Sequence, residues 1–446
     1  MNKTLKTIIT VSTAAFLFAS CHDNIYESIN AEVKLESNGI NGTGTISRYG
    51  DYLIFPTGHL YYKTNQSSND TGLYNKQWAK AGLPETEKAD YIDGQCYYAV
   101  GDQSNLYIMI HSWYENSSGY NAVSGRQLFV TTDTDFSDGI EWTEITIDDN
   151  LTPVKLFSNN AYDAANRLAY LRAYDSDDST YKIYSLSGTS SPVEVTDEST
   201  GLSSDTLTAV YFPKDGQTYF SKYYSLTAND DYIYYSLTYN NSGSMATGSS
   251  IYRADGYGTY YTYSTASTSS DSNPSEEGWY EYDSDSDTYT LSSDTSLDSS
   301  KTYYTAKENT GFTLDSAAAS ATSCDAGGII SMAVTSNYLL LGTTSGLNRV
   351  LLSSTGDSTS LDNIPYTSTT SFSNNGNSII TEYAYSVFTL EPSDAEGEND
   401  EYVSSVIYGS VSSSSDNWED TGLYSYYKGR GTWNRDGTDD NSSSGN

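Results

Sequence analysis

Between Asp51 and Tyr427 the chain repeats one pattern: a polar turn residue, an aromatic or aliphatic strand, a Gly or Ser turn, and a second strand. The clearest copies are DYLIFP with LYYK (from Asp51 and Leu60), NLYIMI with RQLFVTT (from Asn105 and Arg126), and NRLAYLRAY with YKIYSL (from Asn166 and Tyr181). The series continues with DYIYYSLT and SSIYRAD (from Asp231 and Ser249), then NYLLLGTT and LNRVLLSS (from Asn337 and Leu347). A last set holds NSIITEYAYSVF, YVSSVIYGSV and GLYSYY, from Asn377, Tyr402 and Gly422. The openings are separated by 54, 61 and 65 residues, then by 106, then by 40. Short strands with turn residues at their ends, and no long window of helix formers, exclude a helical or α/β design.

A regular strand unit with variable loops reads as an all-β fold, a β-propeller of six to seven blades, because such units stack around a channel and keep their edges short. A pair of β-sandwiches is the alternative, but it demands fewer, longer strands. The strand from Gly422 and the early strand from Ile46 are placed to share the closing blade. The expected organisation is a signal peptide at 1–20, a lipidated tether at 21–45, and a first propeller part at 46–262. A low-complexity linker with a small β insert follows at 263–310, then a second propeller part at 311–433 and a disordered tail at 434–446. The 106-residue interval comes from that insert: polar residues 263–277 lead into WYEY, DSDSD, TYTL and KTYY, a hairpin with a third strand. The stretch from Gly278 to Tyr304 resembles a small β module of phage and bacterial surface proteins, which implies an appendage on a propeller loop.

Composition supports strands over helices. Tyr occurs 44 times, and its ring suits a half-buried pleated surface with the hydroxyl in water. The formal net charge is −36. Such a charge repels nucleic acid and anionic headgroups and favours solubility. There are three cysteines. Cys96 and Cys324 either pair across more than two hundred residues or stay unpaired, Cys96 as a buried thiol in the apolar QCYYAV.

The first 20 residues place Lys3 and Lys6 before an apolar run from Ile8 to Phe18, then Ala19, Ser20 and Cys21. This is a secretory signal, too short to span a bilayer, for which about 20 apolar residues are needed. LFAS before Cys21 resembles the lipobox of bacterial lipoproteins, with Phe18 bulkier than usual. The resemblance implies lipidation of Cys21 and attachment to the bacterial cell envelope, at the outer membrane or cell surface. The other reading is a soluble exported protein cut after Ser20.

No motif names a reaction. The segment Thr131–Trp142 resembles the Asp-box of sialidase-like propellers in Gly139 and Trp142, but Asp135, Ser137 and Glu141 depart from it. It reads as a turn whose aspartates bond turn amides and whose Trp packs on the blade. Sialidase chemistry would need an arginine cluster, and Arg48, Arg126, Arg167, Arg172, Arg253, Arg349, Arg430 and Arg435 are available. Asp283, Asp285, Asp287 and Asp294 follow a calcium-loop spacing without its Gly and its terminal Glu; this segment, like Asp175, Asp177 and Asp178, reads as a solvated turn. Three histidines (His22, His59, His111) are too few for a His-rich zinc site. Adjacent rings of Tyr pairs such as Tyr61–Tyr62, Tyr97–Tyr98 and Tyr234–Tyr235 face opposite sides, one between blades and the other free to face solvent as a platform, with packing between blades expected to account for most of them. No cofactor, metal or catalytic residue is expected. The expected function is binding or scaffolding of a protein or glycan ligand by a monomer anchored to the membrane through its lipid, without nucleic acid. The alternatives are a surface glycoside hydrolase or lyase and a periplasmic assembly factor. The closing GLYSYYKGRGTWNRD resembles uncharacterised propeller-type lipoproteins of spirochaetes, which brings no activity with it.

Overall fold

The computed structural model describes residues 39–40, 42–64, 78–84, 92–115, 121–137, 139–195, 208–221, 224–241, 244–247, 250–263, 278–283, 286, 288–292, 300, 302–314, 322–323, 328–334, 338–344, 346–351, 366–367, 383–389, 407–412, 421–427 and 432–437. Their strands form seven antiparallel sheets in chain order. Sheet I comprises Ser47–Tyr49, Tyr52–Thr57, His59–Thr64 and Ala79–Ala81. Sheet II comprises Ile92–Gly101, Leu106–Glu115, Asn121–Thr131 and Thr143–Glu144, and sheet III comprises Leu151–Ser158, Ala169–Asp175, Thr180–Ser185 and Val193–Glu194. Sheet IV is the pair Thr208–Phe212 and Gln217–Ser221. Sheet V begins with Tyr224–Ala228, Ile233–Asn241 and Ser250–Tyr263, which carry short partners at Ser244–Thr247 and Thr322–Ser323. Sheet VI holds Ile329–Val334, Tyr338–Thr343, Gly346–Leu351 and Tyr366–Thr367, and sheet VII holds Tyr383–Thr389, Ile407–Ser412, Gly422–Tyr427 and Thr432–Arg435.

The apolar runs are explained by where alternate residues go. In a strand, neighbours point to opposite faces, and here both faces meet another sheet. Leu106, Ile108 and Ile110 of sheet II pack with Ile54 and Leu60 of sheet I. The intervening Tyr107 and Met109 pack with Leu156 and Leu171 of sheet III. Tyr170 then joins Ala209 of sheet IV, Phe212 joins Ile233 and Tyr235 of sheet V, and Tyr234 joins Ile329 and Leu341 of sheet VI. First strand lies beside first strand from sheet to sheet, VI against VII included. This is an all-β fold with a propeller arrangement, in agreement with the sequence.

The ring closes differently from the expectation. The strand at Gly422 and the strand after Ile46 lie in adjacent sheets, VII and I, and do not share one. Between them Ile40, Ile46, Leu53, Phe55, Trp78 and Leu423 form an apolar seam. Ile40 N–H donates to Asp436 O at 2.9 Å, Asp436 N–H to Leu423 O at 2.8 Å, and Trp78 N–H to Gly437 O at 3.0 Å. The Asp436 carboxylate accepts from Trp78 Nε1 at 2.6 Å and lies 3.6 Å from Lys63 Nζ. Thus strand structure runs to Arg435 and bridging to Gly437, past the boundary expected at 433, and Ile40 belongs to the core, not to a tether ending at 45. Those polar residues carry no apolar signal because hydrogen bonds hold them.

The insert pairs onto sheet V, and residues 264–277, most of the expected low-complexity linker, lie outside the described residues. Ser250–Tyr263 pairs with Thr302–Leu314 from Ala254↔Leu314 to Tyr263↔Ala306. Gly278–Asp283 pairs with the start of Thr302–Leu314 and with Thr288–Leu291, giving the expected hairpin and third strand. The boundaries at 263 and 310 therefore fall within paired strands, because the ribbon continues the ladder of sheet V. Cys96 is a buried free thiol whose titration burial pushes strongly upward; Cys324 lies outside the described residues.

Asp436→Ala is expected to lower unfolding stability by about 3 kcal/mol, the scale of leaving a buried charge such as Lys63 without its partner. Urea or thermal unfolding checks this. A chain ending at Trp433 should lose at least as much.

Candidate functional site

Among the described residues, two places gather chemistry-bearing side chains where one sheet meets another. The first is on the axis of the ring. Arg48 stands on the first strand of sheet I, with its guanidinium carbon 4.4 Å from the ring centre of Phe388 on the first strand of sheet VII. The same carbon is 5.1 Å from the Tyr162 ring, on the loop between the first two strands of sheet III. A side chain that touches sheet VII on one side and reaches past sheet II to sheet III on the other points toward the axis. Gly101 permits this approach: a Cβ there would lie 2.2 Å from Arg48 O.

Arg167 comes from the end of that sheet III loop. Its Nε donates to Ala161 O at 3.1 Å, Nη2 to Tyr162 O at 2.9 Å and Nη1 to Arg48 O at 3.3 Å. The loop is rigid because Asn159 ties both of its ends. Asn159 Oδ1 accepts from Ala161 N–H and Leu168 N–H, and Nδ2 donates to Asn166 O and to Thr218 Oγ1 of sheet IV. Asp163 caps the single 3-10 turn at Ala164–Asn166. Arg48 and Arg167 are 8% and 6% exposed, whereas Tyr162 above them is 41% exposed. Burial, then the neighbouring Arg167 charge, lowers the Arg48 guanidinium to about 9, against the opposing influence of Tyr162.

The second place lies between sheets II and III. Gln95, His111 and Arg126 stand opposite one another across three strands. A register shift between Cys96 and Tyr98 turns both Tyr97 and Tyr98 toward His111, at 5.3 and 5.9 Å between ring centres. Tyr97 hydroxyl donates to Gln95 Oε1, and Arg126 Nη1 donates to Pro153 O at 2.6 Å. Burial and the Arg126 charge lower His111 to about 4, so the imidazole is neutral.

The remaining candidates are dispersed. Arg172 is buried with its guanidinium 4.5 Å from the Tyr181 ring, and Arg253 lies 4.1 Å from the Tyr232 ring. Arg349 and Arg435 belong to strands of sheets VI and VII; Arg430 lies outside the described residues. Of the eight arginines, the axis brings together only Arg48 and Arg167 among the described residues. Their meeting spans 119 residues of sequence, and no local pattern announces it.

The Asp-box-like segment links the third and fourth strands of sheet II. Asp135 accepts from Ser137 N–H at 2.9 Å and Asp133 from Glu141 N–H at 2.6 Å, while Trp142 Nε1 donates to Gly82 O at 2.9 Å. It is a turn that braces sheet II on sheet I. Lys182 neutralises the acidic turn after sheet III's second strand, bonding Asp175 at 2.8 Å and Asp178, with Glu194 at 3.6 Å. Asp283 is exposed and accepts from Ser286 Oγ at 2.9 Å. Asp285, Asp287 and Asp294 lie outside the described residues, as do Cys21, His22 and all of 1–38. Among the described residues no three His, Cys, Asp or Glu side chains come together as metal ligands, and no helix is long and apolar enough to cross a membrane. Packing between sheets accounts for most of the described Tyr pairs, as expected, while in Tyr97–Tyr98 one ring packs against sheet III and the other is exposed. Tyr61 and Tyr62 pack to opposite sides, against sheets VII and II, and Tyr234 and Tyr235 against sheets VI and IV. Neither ring of these pairs is spared for solvent.

No protein-family profile matches the sequence, and no curated protein does. Among solved structures, the PQQ-bound aldose sugar dehydrogenase of Streptomyces coelicolor is similar at 9% identity and a TM-score of 0.32, over 84% of this chain and 90% of that one. A prolyl endopeptidase is similar at 7% identity and a TM-score of 0.35, over 89% of this chain and 48% of that one.

His111 generates a pH prediction. Its folded value of about 4 lies below the ordinary 6.5, so between these values the unfolded chain binds a proton that the folded chain does not. Its contribution to stability is complete above pH 6.5 and is lost as the pH falls toward 4. The melting temperature of the wild-type chain should therefore drop over this window more steeply than that of His111→Gln, as measured by thermal unfolding at closely spaced pH values.

Proposed function

We propose that each of sheets I to VII is one blade of a seven-bladed propeller. Lipid on Cys21 holds it at a bacterial cell envelope, where it acts in binding or scaffolding of a protein or glycan ligand. One observation carries the binding reading: aromatic rings stand exposed on rigidly braced positions. Tyr97 is 37%, Tyr162 41% and Trp279 46% exposed. Rings with one apolar face and a polar edge make contact surfaces that lose little freedom on binding. Tyr162 is fixed by the Asn159-tied loop, and Tyr97 by the bulge beside His111.

The carboxylates near the axis support recognition over catalysis. Asp102 accepts from Ser104 N–H, Asn105 N–H, Asn105 Nδ2 and Tyr107 hydroxyl. Tyr107 hydroxyl in turn accepts from Gly188 N–H at 2.7 Å, joining sheets II and III. Asp163 is engaged by Ala165 N–H and Asn166 Nδ2. Such groups are spent on turn geometry. Support for the envelope anchor is the signal and lipobox-like sequence, and an acylated terminus with two or three chains would hold stably.

The test is a glycan and host-protein binding screen of the mature chain, repeated with Tyr97→Ala, Tyr162→Ala and Trp279→Ala. At least one captured ligand should bind roughly tenfold more weakly to one of these variants, about the effect of truncating an aromatic anchor. A screen with no saturable ligand would end the reading. Mass spectrometry of the mature N-terminus should find acylated Cys21; a free terminus or cleavage elsewhere removes the anchor.

A further inference from the structure

We infer that the outer edge of sheet IV takes up an extended segment of a partner protein, apolar in its middle and basic at its ends, as a third strand. The inference deepens the binding reading toward a protein ligand and rests on it. Sheets I, II, III, VI and VII each have four described strands, and sheet IV has two. Only residues 222 and 223 separate Ser221 from Tyr224, where sheet V begins, too few for another strand. The side of Gln217–Ser221 turned away from Thr208–Phe212 therefore carries no third strand among the described residues.

The ladder shows which groups that edge offers. Tyr211 N–H donates at 2.8 Å to Asn159 O, outside the pair of strands. Tyr211 and its partner Thr218 are thus a non-hydrogen-bonded pair, and by alternation so are Ala209 and Phe220. Thr218 and Phe220 turn both N–H and C=O to the outer edge, where neither meets a backbone partner among the described residues. Burial agrees. Residues 53–55 and 339–341, on the second strands of sheets I and VI, are buried, whereas Gln217 is exposed and Thr218 and Phe220 are half-buried.

The neighbouring sheets make this edge the floor of a notch. Sheet III runs two strands further outward, about 10 Å at roughly 4.8 Å per strand. Val193, on its last strand, lies opposite Ser185 and so on the same face as Ile183, which packs against sheet IV. Val193 is 63% exposed, with no strand of sheet IV facing it among the described residues. On the other wall, Tyr252 of sheet V is half-buried and stacked on Tyr235, which packs against Phe212 of sheet IV. Stacked sheets lie about 10 Å apart, so the notch suits one or two extended strands. It excludes the same edge of a second copy, whose own sheets III and V would collide with these walls.

The occupant's chemistry follows. Main-chain bonds to Thr218 and Phe220 hold any extended segment, while alternate side chains meet Val193 on one wall and Tyr252 on the other. Those walls call for β-branched residues in its middle. The protein's net charge of −36 attracts a basic segment and repels an acidic one.

Fluorescence anisotropy of the labelled peptide KKVTVTVKK, titrated with the chain at low ionic strength, tests this beside EEVTVTVEE and KKVPVPVKK, whose prolines lack ladder donors. KKVTVTVKK should bind saturably, EEVTVTVEE at least roughly tenfold more weakly, and KKVPVPVKK not at all. Thr218→Pro removes the outward N–H and Thr218→Val keeps it, both without the hydroxyl that bonds Asn159. The proline variant should bind about tenfold more weakly than the valine variant. Val193→Lys, at an exposed position that leaves folding unchanged, should weaken binding roughly fivefold. In NMR hydrogen exchange, the Thr218 and Phe220 amides should exchange freely in the chain alone and gain protection with KKVTVTVKK. Protection without peptide would place the chain's own segment on the edge and overturn the proposal. Absent binding of KKVTVTVKK, equal binding of the three peptides, a dimer that excludes the peptide, or indifference to both Thr218→Pro and Val193→Lys would overturn it as well. A ligand from the screen that binds these two variants as it binds wild type would overturn the sheet IV edge and leave the wider binding reading standing.

Discussion

Sheets I to V are apolar on both faces, and that constraint governs the rest. A sheet such as II, with Ile108 facing sheet I and Met109 facing sheet III, has no face to offer water. A row of such sheets would expose a whole apolar face at each end, at about 25 cal/mol for every Å² left uncovered. Ring closure removes both ends at once. The closing seam is therefore the interface on which all the others depend, although its hydrogen bonds are few. Asp436 stands at its centre, joining Ile40, Trp78, Lys63 and Leu423.

The polar interior serves the same end. Buried polar groups persist where their bonds are made, and several of these bonds cross between sheets: Ser47 Oγ to Ala99 O, Ser225 Oγ to Ile330 O, and Ser386 Oγ to Gly44 O. Each lies on or beside a first strand, where side chains face a neighbouring sheet near the axis. Cation–ring contacts do similar work for Arg172 and Arg253. Arg167 differs in kind. Its bonds run to the carbonyls of Ala161, Arg48 and Tyr162, which tie the sheet III loop to the first strand of sheet I.

Legibility followed the reach of each interaction. The second strands of sheets I, II, III, V and VI are visible because an Asn or Asp turn opens an apolar run. Asp102 and Asn229 show why that turn recurs, each accepting from the N–H groups two and three residues on. Sheet IV escapes the repeat because its described strands are five residues each, so the interval from Asn166 to Asp231 reads as one unit. The Asp-box-like turn was legible because Asp133 and Asp135 act locally. The closure was not: Asp436 bonds Trp78 across 358 residues, and nothing in NRDG marks it. For the same reason, eight arginines could be named in advance but not the two that meet.

The seam also fixes where an N-terminal anchor would act. Ile40 is fully buried, and its N–H and C=O bond Asp436 and Leu423 of the last sheet. In the proposed lipidated form, tension from an N-terminal anchor would reach the Ile40–Asp436 and Leu423–Ile40 bonds first among the bonds of the described residues. Two backbone bonds alone would yield easily, since each contributes only about 1 kcal/mol net. Ile40 resists as a buried apolar side chain wedged with Ile46, Phe55 and Trp78, and the carboxylate of Asp436 clamps Trp78 from the other side. In that proposed form, anchor and closure would share one set of contacts, and the seam that keeps the ring folded would also hold it.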